Sequence, residues 1–161
     1  MKVFLTLVLN LTAAASTQGT DWQNLPLTDA HTGETFTLED LGGTVYVEPM
    51  ATWCSNCRQQ LRSVQEVRSQ LGEEDVTFLA LSIETALEPA ALAQYADGQG
   101  FDFTFAVMTP ELLRALAAEF GQSVANPPAT PHFIIYPDGS SGPLMTGFSP
   151  PEAILSAVTP Q

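Results

Sequence analysis

Val45-Tyr46-Val47-Glu48-Pro49-Met50-Ala51-Thr52-Trp53-Cys54-Ser55-Asn56-Cys57-Arg58 holds both cysteines of a 161-residue chain. Val45-Tyr46-Val47 is a short β-branched and aromatic run that predicts a buried strand ending at Glu48-Pro49. Beyond the cysteines, Leu61, Val64, Val67 and Leu71 recur at three- and four-residue steps, with charged residues between them and Gly72 at the stop. That spacing predicts one amphipathic helix with Cys54 at its N-terminus and Cys57 one turn in, on the same side, so a disulfide can close. The positive end of the helix dipole and its unsatisfied N–H groups favour a thiolate on Cys54, with Arg58 close by. Cys54 is therefore the expected nucleophile and Cys57 the resolving thiol of a two-electron exchange.

Metal binding is the competing use of such a pair. A structural zinc site needs four ligands, and His31 and His132 are the only imidazoles in the chain. A copper site built from Cys54, Cys57 and His132 is chemically reasonable, and a copper-binding chaperone is kept as the alternative function.

Working outward, Asp21 to Leu38 reads as an N-terminal hairpin turning at His31-Thr32-Gly33-Glu34. Val76 to Ile83 predicts a strand covered on both faces, Pro89 to Ala96 a helical segment and Phe103 to Val107 a third strand. Pro110 to Phe120 predicts a helix with Pro in its first turn and Gly121 past its end. His132 to Tyr136 follows as a fourth strand, turned by Pro137-Asp138-Gly139-Ser140 into Leu144 to Phe148, before a last helix at Pro151 to Val158. The alternation predicts one α/β domain over residues 25–161: a central mixed β-sheet with helices on both faces.

Residues 1–15, with Lys2, an apolar run from Val3 to Leu11 and Ala13-Ala14-Ala15, read as a cleaved export signal, and residues 16–24 as a linker. The apolar run is about half the roughly 20 residues of a membrane-spanning helix, and an uncleaved N-terminal anchor is the alternative. Eighteen acidic residues against five basic ones give a net charge of -13, and beyond Lys2 only four arginines remain. Such a surface argues against nucleic-acid binding and attachment to anionic lipid.

The stretch around the cysteines, followed much later by Thr130-Pro131-His132-Phe133-Ile134-Ile135-Tyr136-Pro137-Asp138-Gly139, resembles the thioredoxin superfamily, and within it the exported TlpA/ResA-like branch. The resemblance spans roughly Leu25 to Val158. It implies a thioredoxin-like fold with an added N-terminal hairpin and an inserted helical segment. It implies an exported thiol:disulfide oxidoreductase acting on protein disulfides or dithiols, with a reductant recharged by a membrane electron donor, as in cytochrome c maturation, as the expected role and an oxidant that donates its disulfide as the alternative. No cofactor and a monomeric, periplasmic or extracellular protein are expected.

The same resemblance makes Cys54 the exposed cysteine and Cys57 the buried one. Pro131 aligns with the family's cis-proline, so Thr130-Pro131 is expected to be cis and Thr130 to offer its backbone to an incoming strand; as sequence alone, Pro131 could equally open a strand in the trans form. Glu48 falls where thioredoxins keep a buried carboxylate that exchanges a proton with the resolving cysteine; the plain alternative is a strand-end glutamate in water. Trp53 is expected beside Cys54 as a lid on the docking groove or as simple apolar cover. His132 replaces a residue that is often Thr and is either a modulator of the thiolate or a packed rim residue. Pro49-Met50 and Ser55-Asn56 depart from the family's usual residues, so the redox potential does not transfer. A peroxidase reading lacks the Pro-x-x-x-Thr-x-x-Cys spacing, and known copper chaperones of this fold usually place three residues between the cysteines.

Overall fold

The computed structural model describes residues 21–71 and 76–159; the expected export signal, residues 16–20 of the linker and Gly72 lie outside them. The hairpin forms as expected, from β1 (Leu27–Thr28) and β2 (Thr35–Phe36) paired antiparallel. A one-turn helix that the sequence reading missed, α1 (Leu38–Leu41), is started by Thr37 in a capping box with Asp40.

β3 (Thr44–Met50) lies inside a four-stranded sheet, between β4 (Val76–Ser82) and β6 (Phe133–Ile135), with β5 (Thr104–Val107) beyond β4. β3, β4 and β5 run parallel and β6 antiparallel, which makes the sheet mixed. Ala30 N–H donates to Phe105 O at 2.8 Å and ties the hairpin to the β5 edge.

β3 does not stop at Glu48-Pro49. Ile83 N–H donates to Met50 O at 2.9 Å, so with the two-residue period of a strand the even residues of β3 bond toward β4 and the odd ones toward β6. The β6 ladder ends at Val47↔Phe133, so the N–H that Pro49 lacks would have met no ladder partner.

Alternation along β3 divides the core. Tyr46 and Met50 join the apolar cluster under α2 (Ser55–Leu71), α3 (Pro89–Gln99) and α5 (Pro151–Val158), with Cys54, Cys57, Leu61, Val64, Leu92 and Ile154. Val45 and Val47 face the other cluster, with Leu38, Leu112 and Leu116, the last two from α4 (Pro110–Phe120). Trp22, in a short 3-10 turn at Asp21–Asn24, packs edge-on against Phe120 and Phe133, so the packed unit begins ahead of Leu25.

Leu144 to Phe148 is not a strand. The return past β6 makes only the isolated bridges His132↔Met145 and Ile135↔Ser141. Pro143 lacks a donor, and Gly147 turns through φ 93°, so a regular ladder is interrupted at both places.

α4 starts on Thr109, whose Oγ1 accepts Leu112 N–H at 3.1 Å, with Pro110 as its first residue. Thr109→Ala removes this cap and is expected to destabilise the fold by about 1 kcal/mol, read as a lower urea midpoint at unchanged m-value.

Candidate active site

Cys54 and Cys57 form a disulfide with their Cα atoms 5.3 Å apart. Cys54 immediately precedes α2, and its carbonyl accepts Arg58 N–H at 3.2 Å while Cys57 N–H points at its Sγ at 3.1 Å. Sulfur thus occupies the helix-capping place where Ser, Thr or Asp usually put an oxygen. A thiolate there, once the disulfide is reduced, meets the positive end of a 17-residue helix.

The turn ahead of Cys54 is clamped by Glu84, a residue the sequence reading missed. Its carboxylate accepts Thr52 N–H at 2.7 Å and Thr52 Oγ1 at 3.1 Å. Trp53, next in the chain, is 62% exposed and stands beside the disulfide as apolar surface. Cys54 itself is only 2% exposed and Cys57 is fully buried. The expected order of exposure survives in direction only, because Cys54 packs into the apolar cluster with Ala51 and Cys57.

Glu48 is fully buried, and neither carboxylate oxygen has a hydrogen-bond partner. It is not a strand-end residue in water, since β3 runs two residues beyond it. By alternation it shares a face with Tyr46 and Met50, the face covered by Cys57 and the rest of α2. Burial raises its carboxyl well above the usual range, so the neutral acid is favoured. Its charge would also be felt by the hydroxyls of Tyr46 and Tyr95, and the Arg58 guanidinium lies beside Tyr95.

The segment 127–131 packs on the cysteine helix. Pro127 O lies 3.2 Å from Cys57 Sγ, and Asn56 Nδ2 donates to Pro128 O at 2.9 Å. The structure corrects the expected cis bond: none of the peptide bonds among the described residues is cis, and Thr130 instead turns the chain in the left-handed region, at φ 47°. Its N–H closes a tight turn on Pro127 O at 2.7 Å, so the reversal is made one residue before the Thr130-Pro131 peptide. A β-branched residue in that region costs about 1–3 kcal/mol and is held by its surroundings. Thr130 Oγ1 is buried without a partner.

A cleft of about 360 Å³ runs beside this segment, lined by Asn56, Gln59, Thr130 and the half-exposed Phe148 among others.

His132 is a packed residue. Its Nδ1 meets Thr130 O at 2.9 Å, its Nε2 lies 3.2 Å from Ser149 Oγ, and its ring stacks on Tyr46. Burial holds its pKa below the ordinary imidazole value, against the opposing pull of the Thr130 carbonyl. Among the described residues no three His, Cys, Asp or Glu side chains are grouped to hold a metal ion, so Cys54, Cys57 and His132 do not form a common coordination site. His31 sits in the hairpin turn, 3.0 Å from exposed Asp97, away from the disulfide.

Gln60 and Ser149 also escaped the sequence reading. Gln60 is fully buried and joins Tyr46 OH, to which its Nε2 donates at 3.1 Å, to Ser149 N–H, which its Oε1 accepts at 2.8 Å. The available signal was a glutamine one turn after Cys57, beside the Leu61-Val64-Val67 stripe.

The sequence model of the AhpC/TSA family matches residues 15–140. Among solved structures, the chain is similar to a thiol:disulfide interchange protein of the thioredoxin family from Chlorobium tepidum TLS, with TM-score 0.67 and 21% identity over 83% of this chain and 90% of that one. It is also similar to a secreted Mycobacterium tuberculosis disulfide oxidoreductase homologous to E. coli DsbE, with TM-score 0.62 and 16% identity over 86% and 96% of the two chains. A thioredoxin-related protein from Neisseria meningitidis serogroup B gives TM-score 0.65 and 16% identity over 82% and 95%. No curated protein matches the sequence significantly. The fold is thioredoxin-like, with the mixed sheet, flanking helices and N-terminal hairpin expected of it.

Proposed function

The chain belongs to the AhpC/TSA family, and we propose that, as a thiol-disulfide oxidoreductase, it is exported and reduces protein disulfides through Cys54 and Cys57. The observation that carries this reading is the cysteine pair closed at the start of α2, with Cys57 N–H 3.1 Å from Cys54 Sγ.

In the reduced chain the Cys54 thiolate attacks one sulfur of a partner disulfide. A Cys54–partner bond forms, and the partner's other sulfur leaves as a thiolate. Cys57 then gives up its proton and attacks Cys54 Sγ, which re-forms the intramolecular disulfide and releases the partner's second thiolate. Two electrons pass to the partner. Glu48, buried on the face beneath Cys57, takes that proton in its ionised form, after giving up its own, and returns it when the disulfide is reduced again. Thr130 and Pro131 form the edge on which the partner chain docks, and Trp53 and Phe148 supply exposed apolar surface around it.

Export is supported by the apolar start of the sequence and by the similar Mycobacterium tuberculosis protein being a secreted one. No helix among the described residues is long and apolar enough to cross a membrane. The reductant role assigns recharging to a membrane electron donor and the work to a monomer. A peroxidase role is disfavoured by spacing, since Pro49 and Thr52 do not stand at the required distances from Cys54.

The test is the redox equilibrium of the chain in defined dithiol/disulfide buffers, read by alkylation of Cys54 and Cys57. A reversible two-electron transition near the thioredoxin end of the scale, roughly -270 mV, is expected; one near about -120 mV would make the protein an oxidant. If reduced protein forms no intramolecular disulfide, the oxidoreductase reading is lost.

A further inference from the structure

Glu48 has to ionise before it can take a proton, and a carboxylate buried without donors is costly. Both of its oxygens are buried and unpartnered. Two other polar groups share that condition: Tyr95 OH, on α3, and Arg58 Nε, on α2 directly after Cys57.

The sheet brings these groups to one place. In register, Glu48 lies beside Ala80 and Ala80 beside Phe105, a row across β3, β4 and β5 on the face covered by α2 and α3. Ala80 ends at a methyl group, so it leaves space between Glu48 and the Phe105 ring. Tyr95 packs edge-on against Phe105, with ring centroids 6.4 Å apart, and also against Phe101. Its phenol feels the charge of Glu48 and that of the Arg58 guanidinium beside it, with Arg62 one turn further along α2. Two of the four arginines in a chain of net charge -13 thus bear on one hydroxyl. The other titratable groups on this face, among the described residues, are the disulfide-bonded Cys54 and Cys57, Tyr46, and His132, which stacks on Tyr46 toward β6. Tyr46 OH already accepts Gln60 Nε2 at 3.1 Å. β4 and β5 contribute uncharged Ala80 and Phe105, and α5 contributes Ile154 and Val158.

A carboxylate only accepts hydrogen bonds and a guanidinium only donates them, whereas a phenol does both. Hydrogen bonds can therefore run in one direction through these three groups, from Arg58 to Tyr95 to Glu48. We propose that Tyr95 is a positioning residue for the proton transfer: its hydroxyl accepts from the Arg58 guanidinium and donates to the ionised Glu48 carboxylate, which lets Glu48 ionise in the interior when it has to take the proton of Cys57. The inference rests on Glu48 being the base for Cys57 in a thiol-disulfide oxidoreductase. Tyr95 keeps its own proton and Arg58 its charge throughout. The proton that Glu48 gives up goes to solvent water, and the one it then takes comes from Cys57.

The experiment follows the 13C signal of the Glu48 carboxyl across pH in the oxidised, labelled chain, with Glu48→Gln assigning the signal. Tyr95→Phe keeps the ring contacts and removes the hydroxyl alone. It is expected to move the Glu48 midpoint up by at least about one pH unit, tenfold in ionisation constant. Arg58→Gln is expected to move it the same way, and the double variant no further than Tyr95→Phe, because Arg58 acts through the phenol. In the reduced chain, the pH at which resolution of a mixed disulfide reaches half its full rate should rise by the same amount in Tyr95→Phe. A merely structural role for Tyr95 would lower stability without moving either midpoint. The proposal is overturned if Tyr95→Phe leaves the Glu48 midpoint within about 0.3 pH unit of the parent, or lowers it. It is also overturned if the Arg58→Gln shift is undiminished in the Tyr95→Phe background, or if Tyr46→Phe moves the midpoint and Tyr95→Phe does not. A parent chain that exchanges with no protein disulfide or dithiol ends the oxidoreductase reading instead, and the Glu48 titration still decides whether Tyr95 serves its carboxylate.

Discussion

Cys57→Ser is expected to stop turnover and to leave Cys54 covalently joined to its partner. The reasoning follows from the geometry of the pair. Cys54 Sγ keeps the Cys57-position N–H at 3.1 Å and the helix terminus whichever side chain residue 57 carries, so its nucleophilicity survives the change. What is lost is the second thiol, held three residues away in sequence and already at bonding distance. An external thiol must then resolve the mixed disulfide in a bimolecular step. The loss of an oriented intramolecular nucleophile predicts turnover slower by about 10³-fold or more. Non-reducing electrophoresis of the variant mixed with an oxidised protein substrate should show a band at the summed mass that dithiol removes. Cys54→Ser should give neither turnover nor that band, because the remaining thiol is fully buried and in contact with Pro127 O. A trapped complex with Cys54→Ser and none with Cys57→Ser would reverse the assignment of attacking and resolving cysteines. Retained turnover in Cys57→Ser would mean that the pair does not work as a pair.

The strand, cysteine pair and helix were legible in sequence because each rests on local pattern: a β-branched run, a CxxC at its end, and apolar residues at helical spacing. The other α4 and α5 boundaries were legible for the same reason, through Pro at the start and the apolar stripe that follows. Glu48 was marked by the family resemblance, while the residues alone left it either buried or at a strand end in water, and the structure buries it. Three features were not legible. The continuation of β3 through Pro49 depends on which neighbour strand each N–H faces, and β6, which decides it, lies far along the chain. The left-handed Thr130 depends on the 3-10 turn at Pro127–Ala129 and on contacts to Asn56 and His132, where the residues alone allow either proline isomer. The Gln60 to Ser149 hydrogen bond joins residues 89 apart, and a polar residue on the buried side of a helix announces a partner without naming it. His132 was visible as a residue of interest, but the groups that engage its two ring nitrogens, Thr130 O and Ser149 Oγ, were not.

Glu48→Leu is expected to make the fold more stable and the enzyme slower, and the pH dependence separates the two effects. Both carboxylate oxygens of Glu48 are buried without a hydrogen-bond partner, so the residue is unfavourable in either protonation state. Leucine removes two orphaned acceptors and adds apolar packing beside Tyr46 and Met50, for a gain of about 2 kcal/mol at neutral pH. Burial raises the folded-state pKa well above 4.5, the ordinary value that the unfolded chain keeps. Between those two pKa values the folded protein holds a proton that the unfolded protein has lost, so this residue makes stability fall as pH rises through the window. Below the ordinary glutamate pKa both states are protonated, and the titration contributes no further difference. The parent should therefore gain stability from pH 7 down toward pH 4.5 at this site, and Glu48→Leu should lack that component. Urea unfolding of both proteins across the range measures it; parallel pH curves would show that Glu48 is ionised in the fold or titrates as it does when unfolded. The kinetic effect has the opposite sign, because a leucine takes no proton from Cys57. Loss of a positioned base predicts slowing of the resolving step by about 10²-fold at a pH high enough to ionise Glu48 in the parent, with Glu48→Gln equally slow. A buried acid that destabilises its own fold persists under a thiol when proton transfer there is worth the loss, and only a variant that is both firmer and slower meets that account.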